Sequence, residues 1–318
     1  MSEVGIEVAP LPASTKRGSA WAAPAGAIGR SRERLGWLLI LPSLVVVVIV
    51  ALFPLFETFR LSLTNTRLAS AREPRFVGFA NYEALLAATS PFWGALRNTL
   101  EFTIASVALE TILGMIVALV IHSNFKGRGM VRAAILVPWA IPTVVSASMW
   151  QWMYHDVFGV INDLLVNRLH ILDQKVAWLA NPATALPAII AVDVWKTTPF
   201  MALLLLAGLQ VIPGDVYEAS TVDGANKWQQ FWQITLPLIR PALLVALIFR
   251  TLDAFRVFDV IYVMKGEASE TISLAVLARR ELIGNAKLGA GSAISVLIFL
   301  CIAALVVLYT RMVRVEEL

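Results

Sequence analysis

Residues Tyr217–Pro241 read YEASTVDGANKWQQFWQITLPLIRP, a polar, amphipathic stretch set between long apolar runs. Pro213-Gly214 breaks the apolar run before it. Asp215 followed by Glu218 has capping-box spacing and is expected to start a helix. Asp223-Gly224 is expected to end that helix, because glycine takes the left-handed conformation past a helix terminus at little cost. Asn226 with Gln229 can cap a second helix carrying Trp228, Phe231, Trp232 and Ile234. Pro237 and Pro241 then set the entry to the next apolar run. The expected product is helix, glycine corner, helix, with small residues Ala219 and Ser220 at the first helix's centre. Two uses fit it: a loop whose aromatics lie among lipid headgroups, or an element that grips a partner in water.

The chain around it has 318 residues, 58% hydrophobic and 15% charged. A soluble domain carries roughly 25% charged residues, so the deficit points to a bilayer as solvent. The one cysteine, Cys301, lies in an apolar run and says nothing of redox compartment. Basic residues scattered at the ends of apolar runs suit lipid headgroups better than nucleic acid. Residues 1–35, rich in Ala, Pro, Gly and Ser with Lys16, Arg17, Arg30, Arg32 and Arg34, read as a disordered basic tail. The run after it is of spanning length and reads as a retained helix rather than a signal peptide.

A helix needs about 20 apolar residues to cross the hydrocarbon core. Six runs qualify: 36–58, 99–121, 132–154, 185–209, 239–264 and 290–311. The expectation is an all-α membrane domain over 36–318, with a long polar segment at 59–97 and short surface helices in 155–184. An even number of spans puts both termini on one side. Lys and Arg in the loops nearly tie, but the basic tail, the turn with Lys126, Arg128 and Arg132, and Arg311 with Arg314 favour cytoplasmic termini. That orientation puts Tyr217–Pro241 in the cytoplasm.

Glu218-Ala219-Ser220, then Gly224 after three intervening residues, then Ile234-Thr235-Leu236-Pro237 after nine more, resembles the EAA loop of binding-protein-dependent ABC importer permeases. Asp223-Gly224-Ala225 is similar to that loop too, and Ser220 for alanine keeps the residue small. Further likeness runs from about residue 36 to 312 and points to the sugar-importer branch. It is carried by Phe76-Val77-Gly78-Phe79-Ala80-Asn81-Tyr82, Asn98-Thr99-Leu100, Pro138-Trp139-Ala140-Ile141-Pro142 with Trp150 and Trp152, and Phe258-Asp259 with Ile261-Tyr262. One departure stands out, Lys265-Gly266-Glu267-Ala268 where that branch has Gly-Gly-Pro.

The resemblance implies a type I importer permease fold with cytoplasmic coupling helices in residues 213–237. It implies a cell-membrane, multi-pass subunit, not an enzyme, paired with a second homologous permease, a cytoplasmic ATPase dimer and an extracellular substrate-binding lipoprotein. Glu218, Ala219, Ser220, Asp223, Gly224 and Ala225 would then meet the ATPase. No cofactor is expected on this chain. ATP with magnesium would sit on the partner, since no G-x-x-x-x-G-K-[ST] loop occurs here. The implied cargo is a sugar, a disaccharide such as trehalose or a related carbohydrate.

Charges at bilayer depth are costly and face a bundle interior or a cavity. Glu110 lies mid-span in the second run, Asp193 and Lys196 in the fourth, and Arg250, Asp253, Arg256 and Asp259 at steps of three in the fifth. They either bridge neighbouring helices or line the substrate path. The path set is Trp195, Asp193, Lys196, Asp253, Arg256, Asp259 and Tyr262, with Trp195 as the ring-stacking contact. Trp152 and Tyr154, near a span end, read as interfacial anchors. His122, His155 and His170 lack metal-ligand spacing. A proton-coupled secondary transporter using Glu110 or Asp193 is the competing function, and it leaves the insert unexplained.

Overall fold

The computed structural model describes residues 25–316 apart from 69, 71 and 72. Most of the tail expected over 1–35 lies outside the described residues. The chain divides into two units, Met1–Phe56 and Glu57–Leu318. In the first, α1 (Ala25–Val47) leads into a wider π-type turn at Val48–Leu52. The second holds α2 (Ala80–Leu86), α3 (Pro91–His122), α4 (Arg128–Ala140), α5 (Thr143–Met153), α6 (Pro182–Leu209), α7 (Gly214–Val222), α8 (Lys227–Gln230), α9 (Leu236–Phe255), α10 (Asp259–Lys265), α11 (Leu274–Arg279) and α12 (Leu288–Glu316). Among the described residues the only extended pairing is an antiparallel bridge between Thr64 and Phe76.

Among the described residues, five helical stretches are long and apolar enough to cross a membrane: Leu35–Ser62, Pro91–His122, Pro182–Leu209, Lys227–Lys265 and Leu288–Arg311. The third apolar run departs from the expected straight span. It is two helices, α4 and α5, meeting at 90°. Pro142 has no N–H to continue a helix, and Ile141 before it is extended at φ −74°, ψ 133°. The fifth run also breaks, at Arg256–Phe258 between α9 and α10.

The helices outrun the apolar runs where the sequence offers caps. Ser90 accepts the Phe92 N–H ahead of Pro91, and Asn181 accepts the Ala183 N–H ahead of Pro182. The most extensive helix pairing is α3 with α6, and α9 lies against both. Gly114 makes that pairing close, since a Cβ there would meet Met201 Cγ at 2.7 Å. One apolar cluster joins Phe102, Ile189, Ile261, Leu277 and Ile294. A second, toward the insert, joins Met115, Met201, Leu205, Leu209 and Ile239.

Residues singled out in the sequence pin the loops between these helices. Asn81 Nδ2 donates to the Ser62 and Thr64 carbonyls at 2.7 and 2.9 Å, and Tyr82 Oη lies 2.7 Å from Ser62 Oγ. Asn98 Nδ2 donates to the Ile272 carbonyl at 3.1 Å, and Thr99 Oγ1 accepts the Leu274 N–H at 2.9 Å. These bonds give the buried backbone of the 269–274 turn partners it would otherwise lack.

Candidate functional site: the insert and the intramembrane charges

The insert folds as helix, corner, helix. The start of α7 differs from the expected capping box: Pro213 holds the N-cap position, with no side-chain cap, and Asp215 sits inside the first turn. Proline's fixed φ suits a helix entrance, so no carboxylate is needed there. The corner is as expected. Gly224 has φ +85°, its N–H bonds the Thr221 carbonyl at 3.1 Å, and the Ala225 N–H bonds the Ser220 carbonyl at 2.9 Å. That pair of bonds is a Schellman motif. Asn226 and Gln229 form the reciprocal capping box of α8, at 2.9 and 2.8 Å.

Helical geometry gives α7 two faces. On one, Tyr217, Ser220 and Thr221 turn toward the second helix. Gln230, buried, donates to Ser220 Oγ at 2.9 Å and Thr221 Oγ1 at 3.0 Å, and Tyr217 Oη meets Thr235 Oγ1 at 3.0 Å. The other face carries Asp215, Glu218, Ala219 and Val222, all exposed. Val222 is 88% exposed, and Glu218 has no hydrogen-bond or ion-pair partner among the described residues. Asp223 is exposed beside the corner and Ala225 half-buried. The Ser220 hydroxyl, which sequence reading treated only as a small side chain, ties the two helices together.

In the bundle, Arg250 gathers three carboxylates. Its guanidinium forks onto both Glu110 oxygens, donates to Asp193 Oδ2 at 3.2 Å and bridges to Asp253. Arg250 and Glu110 are buried, Asp193 is 12% exposed and Asp253 66%. Thr197 Oγ1 donates to Glu110 Oε1 at 2.5 Å. Arginine's planar fork suits such bidentate pairing. The cluster therefore clamps α3, α6 and α9 together.

Lys196, also buried, points elsewhere: its Nζ donates to the carbonyls of Ile141 at 2.6 Å and Trp139 at 3.4 Å. Of the other residues expected along the path, Arg256 and Asp259 are exposed at the α9–α10 break. Tyr262 stacks on Phe258 and lies 4.3 Å under the Arg279 guanidinium. Trp195 packs edge-to-face on Trp150 at 5.4 Å. Tyr154 corrects its reading as an interfacial anchor: it is buried between Trp150 and Trp178. Trp152 is 59% exposed.

The segment that departs from the family pattern is held by ion pairs. Lys265 meets Glu270 at 2.9 Å, and Glu267 meets Arg279 at 2.8 Å. The bond from Lys265 keeps the Glu270 carboxyl below its usual range.

A bundle of bilayer-length helices, a buried ion-pair hub and a projecting two-helix insert together define a membrane permease subunit. Residues 110–315 match the family described as binding-protein-dependent transport system inner membrane component, and the chain belongs to it. It is 46% identical over 285 residues to the trehalose/maltose transport system permease protein MalF of Thermococcus litoralis, covering 88% of this chain and 94% of that one. It is 39% identical over 282 residues to the trehalose transport system permease protein SugA of Mycobacterium tuberculosis, covering 89% of each. A crystal structure of a bacterial alginate ABC transporter, in complex with an alginate pentasaccharide-bound periplasmic protein, holds a chain of like fold. Its TM-score is 0.79 at 23% identity, with 91% of this chain and 97% of that chain covered. The chain is thus a transport subunit of an ABC importer, and the comparisons support no proton-coupled carrier.

Proposed function

We propose that this chain forms one half of the pore of an ATP-driven importer for a disaccharide of the trehalose kind, in a cell membrane with both termini cytoplasmic. A second, homologous permease completes the pore. An extracellular binding lipoprotein delivers the sugar, and a cytoplasmic ATPase dimer with ATP and magnesium drives the cycle. The observation that carries the reading is the divided α7. One face is bound to its own second helix, and the other presents Asp215, Glu218, Ala219 and Val222 without a partner among the described residues. An exposed valine beside an unpaired carboxylate suits a docking surface, where an apolar centre needs a polar rim. Gly224 holds the corner, with Ser220, Asp223 and Ala225 shaping it. The names of the relatives support a sugar as cargo.

Within the membrane, Asp253, Arg256 and Asp259 present charge on exposed faces, with Tyr262 and Trp195 as ring contacts. Asp193 and Lys196, engaged by Arg250 and by main-chain carbonyls, shape the path rather than touch the sugar. The test is Glu218→Lys in cells carrying the other subunits. Uptake should be lost while insertion and abundance stay normal, and normal uptake would remove Glu218 from the dock.

A further inference from the structure

We propose that Lys196 is the positioning residue of the break in the third span. Its ammonium takes the place of the missing backbone donors, holding α4 and α5 at their right angle from α6.

The chain turns at Ile141 and Pro142, so the Trp139 carbonyl at the end of α4 and the Ile141 carbonyl between the helices have no helical N–H to bond. In hydrocarbon an unmet carbonyl costs several kcal/mol, so a broken span needs donors from outside its own backbone. Lys196 Nζ supplies them at 2.6 and 3.4 Å. The lysine has the means, with three donors, and the field at the C-terminal end of α4 favours a cation. It is buried, and the acid one turn back on its own helix, Asp193, bonds Arg250 instead. A buried ammonium whose partners are carbonyls at a helix break fills the place that a bound cation takes at such breaks in ion-driven carriers. Here the cation is tethered. Phe200, one turn further along α6, stacks on Trp139 at 5.9 Å and 15°, a second hold on the same half-helix.

The polypeptide leads from this helix into the insert. α6 carries Lys196 at its middle and ends at Leu209, five residues before α7 begins at Gly214. Moving α7 displaces α6, and with it the only side-chain donor that the described residues give to these two carbonyls. Opening the break and withdrawing Lys196 are then one event. This link to transport rests on the function proposed above, whereas the hold on the break does not.

The experiment uses the full chain in lipid nanodiscs, with Cys301→Ser, and spin labels on cysteines at Val137 and Val145, both exposed and on opposite sides of the break. Dipolar EPR should give one narrow distance distribution with Lys196. Lys196→Met, close in size and without donors, should broaden or split it, and Lys196→Arg should restore it. A distribution in Lys196→Met as narrow as the parent's would overturn the proposal, because packing by the stem alone would then suffice. If Lys196→Met fails to fold, Lys196→Gln, an uncharged and shorter donor, takes its place. An intermediate width supports the proposal and an unchanged one sinks it. In the complete importer, Lys196→Met should lower sugar moved per ATP by about tenfold and Lys196→Arg should keep it near normal. Altered EPR with unchanged coupling would discard the transport link alone.

Discussion

A carboxylate at bilayer depth persists only with a donor, and Glu110 has the guanidinium of Arg250. Removing Arg250 strands the buried carboxylates of Glu110 and Asp193, so Arg250→Met should cost about 3–5 kcal/mol. Combining Arg250→Met with Glu110→Gln and Asp193→Asn should cost much less, since no buried charge is then left uncompensated. Denaturant unfolding in detergent of the single and the triple variant checks this; equal losses for both would argue against a pairing role. At the insert, Ser220→Ala removes one acceptor of Gln230, leaving Thr221, and should cost about 1 kcal/mol. The loss should be read as earlier local melting of α7 by hydrogen exchange, with Glu218 unaffected as a docking residue. The need for a partner at Glu110 was legible from its isolation in an apolar run. Its identity was not, because Arg250 lies 140 residues away and nothing local links them.

Elements such as α7 and α8 are specified by short-range chemistry, which is why the glycine corner and the Asn226–Gln229 box could be read from sequence. Asp215 misled because a capping-box spacing was present, while Pro213 had already set the helix entrance two residues earlier. Gly224→Val forces a branched side chain into φ +85°, a conformation costing roughly 1–2 kcal/mol even for ordinary L-residues. The expected result is a disordered corner and loss of co-purification with the ATPase; retention of an active complex would show that the corner is not required. The third span shows the limit of reading elements by composition. Its 132–154 run is apolar enough for one helix, and Pro142 marks a weak point. Whether proline kinks a span or turns it by 90° depends on what receives the freed carbonyls, and here that is Lys196 from another helix.

At the scale of the whole molecule, the proposed path for the sugar includes Trp195. Trp195 rests on Trp150 across the α5–α6 contact. Trp195→Ala should weaken stimulation of the partner's ATP hydrolysis by sugar-loaded binding protein, with little change in the basal rate. An unchanged response would return Trp195 to packing. Family membership, the helical class and the position of the two-helix insert followed from the sequence by itself. Hydropathy, capping and the spacing of a short motif all act within a few turns of one helix. The tertiary structure decided which charges clamp the bundle, which face of α7 is spent on its own second helix, and that the third span is broken and pinned by Lys196. Those outcomes depend on side chains brought together from 10 to 140 residues apart, as in Ser220 with Gln230 and Glu110 with Arg250. In a bilayer each buried polar group must find such a partner, and only the packed helices determine which one it finds.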